Sequence, residues 1–119
     1  MIPFSSPFDK TAVDFLEELN CPAYKIASYE NIDIPLIEYA ASKGKPLIIS
    51  SGMSSLSEIY DAYLAASKYL SKENISVLKC TSSYPAPLKD INTSTLKTFR
   101  EIFSSSPIGF SDHSLGIGA

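Results

Sequence analysis

The chain has 119 residues, 45% hydrophobic and 19% charged, with a formal charge of −3 and a sequence pI near 5.0, a composition that fits about one globular domain and no disordered tail. A single arginine, Arg100, stands among the lysines with no basic block, which excludes the clustered cationic face of a nucleic-acid binder. No apolar run approaches the roughly 20 residues of a membrane span, and the first residues lack the charged and apolar regions of a signal peptide; the expectation is a cytoplasmic protein with no membrane partner.

Taken in chain order, strand-length apolar runs alternate with segments of helical period. The first strand is expected at Ile2 to Ser5, followed by "SPFDKTAVDFLEELN", a helix with Ser6 as N-cap, Pro7 at its first position, and Val13, Leu16 and Leu19 as its apolar stripe beside Phe15. A second strand, Ala23 to Ala27, leads to a helix around Pro35 to Ser42 that stops at Gly44. "KPLIIS" reads as a buried strand. The next helix has the clearest start signal, "SLSE" from Ser55 to Glu58, a serine with a glutamate three residues on, and runs to about Leu70. "ISVLKC" is the fourth strand; a proline-bearing loop then leads to a helix from about Thr93 to Phe103, with Leu96, Phe99, Ile102 and Phe103 apolar. The fifth strand is Ile108 to Phe110. Cys21 and Cys80 lie far apart without CxxC spacing, as expected of two buried thiols in a reducing compartment.

Strand starts separated by roughly 20 to 30 residues leave room for a crossover helix each time, so the sheet is expected to be parallel and right-handed in its connections. An open doubly wound sheet and a (β/α)8 barrel both fit. Every strand ends in polar residues, in "FSS", "KIAS", "IISSG", "KCTSSY" and "GFSDHSLG", whereas an open sheet gathers its ligand contacts near one switch point; this favours the barrel. The fold class expected is therefore α/β, part of a (β/α)8 TIM barrel with about five parallel strands and four helices. Five strands are little more than half of a barrel of about 250 residues, so residues 1–119 read as a piece of a larger catalytic domain.

Lys25 lies between apolar residues at a strand end, where a lysine needs a partner for its charge, and an anion is the natural one. Ser5, Ser6, Ser28, Ser50, Ser51 and Ser111 offer neutral donors from several strands to the same anion. Serines also end strands as caps for the next helix, a reading that serves each of them singly but accounts neither for the lysine nor for the number of sites. His113, the only histidine, sits beside Asp112 beyond a strand end, where barrels hold acids, bases and metal ligands. A hydrogen-bonded structural role is equally open to it, and one histidine does not make a metal site.

"FSSPFDKTAVDFLEELNCPAYKIAS", "GKPLIISSGMSSLSEI", "KCTSSYPAP" and "IGFSDHSLG" together resemble the sialic acid synthase family, over essentially the whole chain. The resemblance implies condensation of phosphoenolpyruvate with an N-acetylated amino sugar to a nine-carbon 2-keto acid. Among the branches, the pseudaminate-forming enzymes look nearest, with legionaminate and N-acetylneuraminate synthases close behind. It also implies a barrel followed by a small antifreeze-like domain, in homodimers where that domain reaches over the partner's active site; this chain would be the central part of the barrel, without the early acid, the second histidine or the C-terminal domain. Residue by residue, it assigns the phosphoenolpyruvate pocket to Ser6, Lys25, Ser28, Ser50 and Ser111, a divalent metal, usually Mn2+, to His113, and the reaction centre to Ser82 and Tyr84. Asp112 is expected to orient His113. Threonine is common in the family where this chain has Ser6 and Ser51, and either hydroxyl donates the same bond.

Two other classes remain on the residues alone. A Schiff-base aldolase would use a desolvated lysine such as Lys25 as nucleophile. A freestanding five-stranded module would bind a sugar phosphate without catalysis.

Overall fold

A computed structural model of the chain describes residues 2–116. Four strands, β1 (Tyr24–Ile26), β2 (Leu47–Ser50), β3 (Ile75–Cys80) and β4 (Ile108–Ser111), alternate with four helices, α1 (Lys10–Glu18), α2 (Ile34–Ser42), α3 (Leu56–Ser67) and α4 (Thr95–Ile102). All neighbouring strands are parallel and lie in sequence order, β1-β2-β3-β4. Among the described strands the order never reverses, as it would at the switch point of a doubly wound sheet. The fold is thus part of a parallel α/β barrel of the TIM type.

Local signals set the helix starts. Ser55 and Glu58 form the expected capping box, each side chain accepting from the other's backbone N–H. Asp33 accepts from Leu36 N at the head of α2, with Pro35 in the first turn, and Gly44 follows its end at φ 76°, the left-handed conformation that favours glycine. The first helix departs from expectation. Its N-cap is Asp9, whose Oδ1 accepts from Ala12 N and Thr11 Oγ1, both at 2.7 Å. A carboxylate that takes two donors outcompetes the Ser6 hydroxyl, and Pro7 lies outside the helix. The expected strand at Ile2 to Ser5 shrinks to one parallel bridge, Ser5 to Tyr24, with Lys25 N donating to Ser5 O at 3.0 Å.

The core lies between the sheet and its helices. Tyr24 and Ile26, Leu47 and Ile49, and Ile75 and Val77 are fully buried, and Val13, Leu36, Ile37, Ala40, Ala62, Ala66, Phe99 and Phe103 pack against them. The small residues of α2 and α3 let these helices lie side by side over the strands. Leu19, expected in the α1 stripe, and Phe15, expected beside it, are 61% and 58% exposed, so among the apolar residues of α1 only Val13 is fully in the core. Both cysteines are buried free thiols, as expected.

Candidate functional site

Side chains alternate across a strand, and the register shows which share a face. Tyr24, Ile26, Leu47, Ile49, Ile75 and Val77 take the helix side. Lys25, Ile48, Ser50, Leu78, Cys80, Gly109 and Ser111 therefore share the opposite face, with Lys25 opposite Ile48, Ser50 opposite Leu78 and Cys80 opposite Ser111. The pleat thus gathers three of the predicted anion ligands, Lys25, Ser50 and Ser111, on one surface toward the carboxyl ends of the strands.

Several of these groups are poorly satisfied by the protein itself. Lys25 is half-buried, yet belongs to none of the three ion pairs among the described residues, Lys43–Asp14, Lys45–Glu17 and Lys68–Glu38. Ser50 is 1% exposed and, among the described residues, its Oγ has no hydrogen-bond partner; Ser82 Oγ is likewise buried and unpartnered there. Buried hydroxyls are nearly always paired, and one left unpaired costs about 1–3 kcal/mol, so each of these is a place for a water or a ligand atom. Ser28 Oγ accepts from Gly52 N at 3.1 Å and lies in the same cluster.

Ser51 and Lys79 differ from their neighbours. Ser51 continues the ladder, donating from N to Leu78 O at 3.0 Å and accepting at Oγ from Cys80 N at 3.3 Å, so its hydroxyl ties β2 to β3. Lys79 lies on the helix side, where its ammonium donates to Cys80 O and Thr81 Oγ1 at 2.9 Å, and burial pushes its pKa down. It lines a cavity of about 460 Å³ with Thr81, Ser82, Asn92 and Thr98, between the starts of α3 and α4.

His113 is held by the loop after β3. Its Nδ1 lies 3.0 Å from Thr81 O, a carbonyl that only accepts, so Nδ1 is the donor and the neutral ring would present its lone pair at Nε2. Ser111 Oγ stands 3.4 Å from that Nε2, and the Tyr84 ring stacks on the imidazole with centroids 4.2 Å apart. Ala86 N donates to His113 O at 2.8 Å, which fixes the two loops together. The expected role of Asp112 is corrected here: its carboxylate accepts from Ser114 N at 2.8 Å and Ser114 Oγ at 3.0 Å, bonds that hold it below the usual carboxylate range. The Thr81 carbonyl, not Asp112, orients the ring.

His113 Nε2 is the donor these strand ends present to a divalent metal, and among the described residues no group of three or more His, Cys, Asp or Glu could hold a metal ion. Ser6 is half-buried just past the bridge from Ser5 to β1, at the edge of the same strand ends.

Sequence-ordered parallel strands, helices on one side and polar groups gathered at the carboxyl ends define a segment of a (β/α) barrel. The NeuB family matches residues 1–119, and the chain belongs to that family. It is 44% identical over 113 residues to the pseudaminic acid synthase of Helicobacter pylori, covering 95% of this chain and 33% of that protein. It is 37% identical to human N-acetylneuraminate-9-phosphate synthase, with 95% and 31% covered, and 39% identical to the N,N'-diacetyllegionaminic acid synthase of Legionella pneumophila, with 95% and 32% covered. The chain thus spans about a third of the length of these relatives. The crystal structure of the spore coat polysaccharide biosynthesis protein spsE from Bacillus subtilis superposes with a TM-score of 0.91 at 32% identity, over 96% of this chain and 32% of that one. That of the N-acetylneuraminic acid synthetase from Leptospira borgpetersenii, in complex with citrate, gives 0.88 at 39%, over 95% and 39%.

Resemblance to one branch over the others is not upheld. The pseudaminic acid synthase of Campylobacter jejuni is 37% identical, no more than the human N-acetylneuraminate-9-phosphate synthase. Identity over this segment places the chain in the family without choosing the sugar. Among the described residues, no helix is long and apolar enough to cross a membrane.

Proposed function

We propose that this chain is the central part of a barrel enzyme that condenses phosphoenolpyruvate with the aldehyde of an open-chain N-acetylated amino sugar, giving a nine-carbon 2-keto acid. The observation that carries the reading is Lys25, in no ion pair among the described residues, on the sheet face it shares with Ser50, whose Oγ, like that of Ser82, is buried without a hydrogen-bond partner among those residues. Phosphoenolpyruvate supplies what they lack, a compact polyanion with acceptor oxygens at both ends.

In this reading Lys25 holds the anion by charge, and Ser6, Ser28, Ser50 and Ser111 donate hydrogen bonds that fix its orientation. Its C3 forms the new bond to the aldehyde carbon, water adds at C2, and phosphate leaves by C–O cleavage. Ser82 and Tyr84 line the reacting end, and the Tyr84 ring covers one face of His113. His113 would hold a divalent cation, with Mn2+ the family's usual metal, through Nε2 beside ligands from elsewhere in the intact protein; bound there, the ion supplies Lewis-acid polarisation of the aldehyde. A homodimer in the cytoplasm belongs to the same proposal.

The pseudaminate precursor is the acceptor proposed first, with the legionaminate precursor and N-acetylmannosamine as its competitors. The test is phosphate release by the intact protein from phosphoenolpyruvate with each acceptor, and the mass of the product. The expected result is release dependent on one acceptor, with a nine-carbon acid formed. No release with any of the three overturns the reading, and borohydride trapping of a pyruvate adduct on Lys25 would replace it with a Schiff-base aldolase.

A further inference from the structure

The loop "ISSGMSS" has a glycine where a turn would ordinarily claim one, but the turn does not need it there. Met53 takes the left-handed conformation, at φ 64°, while Gly52 is absent from the positive-φ residues. An alanine is therefore compatible with the backbone at Gly52. What the position lacks is room. A Cβ at Gly52 would lie 2.6 Å from Ser28 Oγ, 3.1 Å from Ser28 Cβ and closer still to Ser82 Oγ, distances that side chains do not share without moving.

Three loops meet at this point. Ser28 follows β1, Gly52 follows β2 and Ser82 follows β3. Gly52 N donates to Ser28 Oγ at 3.1 Å, which orients that hydroxyl, while Ser82 Oγ, buried and unpartnered, packs over the Gly52 Cα. Hydroxyls converge from two loops because the third presents no side chain.

We infer that Gly52 is a positioning residue of the site: its missing side chain lets the Ser28 and Ser82 hydroxyls close on the same anion, and its N–H sets the first of them. The inference rests on the phosphoenolpyruvate reading for the ligand and on geometry alone for the packing. A methyl group here would turn both hydroxyls away while leaving the core on the helix side of the sheet untouched.

The test uses Gly52→Ala, Ser82→Ala and the double variant in the intact protein. Loss of both oriented bonds to a charged ligand predicts a KM for phosphoenolpyruvate raised by about a hundredfold or more in Gly52→Ala. The KM for the amino sugar and the melting temperature should stay near wild type. Removing the Ser82 hydroxyl removes the closest obstruction, so the double variant should bind phosphoenolpyruvate more tightly than Gly52→Ala alone. An affinity in Gly52→Ala within about twofold of wild type, or losses that multiply in the double variant, would overturn the inference. A crystal structure of Gly52→Ala separates the two readings. Both hydroxyls in their original positions would overturn this inference even with the substrate assignment intact; displaced hydroxyls in a protein whose wild type binds no phosphoenolpyruvate would uphold the packing and remove the ligand.

Discussion

The two faces of the sheet follow opposite rules. On the helix side, Tyr24, Ile26, Leu47, Ile49, Ile75 and Val77 are wholly buried and meet apolar partners. Toward the carboxyl ends of the other face, Lys25 is in no ion pair and Ser50 Oγ has no hydrogen-bond partner among the described residues, nor has Ser82 Oγ in the loop after β3. The period of two along each strand assigns residues one apart, such as Ile49 and Ser50, to these two regimes. Stability and ligand binding are thereby separated by a single residue step, and substitutions should divide along the same line.

The largest effect expected on the helix side is from Ile49→Ala. Truncating a fully buried isoleucine in the middle of the sheet costs about 2–5 kcal/mol, read as a lower urea midpoint of the intact protein, with phosphoenolpyruvate affinity in the folded enzyme little changed. A smaller effect belongs to the capping box. Ser55→Ala removes a hydroxyl that accepts from Glu58 N and should cost about 1 kcal/mol of stability, again without loss of affinity.

The smallest effect is a dependence on pH at Glu17. The Lys45 ammonium, and after it the Tyr24 hydroxyl, hold this carboxyl below the usual glutamate range. A depressed folded-state pKa contributes stability above the ordinary glutamate value, and that contribution is lost as pH falls through the folded value. Glu17→Gln should therefore lower stability near neutrality and flatten its fall below about pH 4.5, checked by denaturant midpoints across an acid series. An unchanged slope would show that the ion pair is fully screened by water.

Much of this division could be read from the amino acids, since the apolar alternation of "KPLIIS" and "ISVLKC" and the box in "SLSE" are local signals with local causes. Other features depend on competition or on distant backbone. In "SSPFDKT" more than one residue has a side chain able to cap a helix, and the choice of Asp9 follows from its carboxylate taking both Ala12 N and Thr11 Oγ1. The first strand shrank to one bridge because pairing depends on how the chain before Ser5 meets β1, which no local run encodes. Asp112 turning to Ser114 is a local Asx-type bond that the sequence "DHS" allowed. The partner of His113 is a backbone carbonyl 32 residues away, from Thr81, and a carbonyl has no signature in residue type. Gly52 carries no signal of its own in "IISSG"; its packing against Ser28 and Ser82 becomes visible only when three loops are placed together.

The central claim, that the strand ends form an anion pocket centred on Lys25, is tested most directly by titrating phosphoenolpyruvate into the intact wild-type protein and Lys25→Met by calorimetry. Methionine keeps much of the apolar stem and removes the charge. A weakening of binding by about 1.5–3 kcal/mol, with the melting temperature unchanged, is the result predicted for a lysine whose partner is the ligand. Equal affinity in the two proteins would contradict it and return Lys25 to a structural role on the sheet.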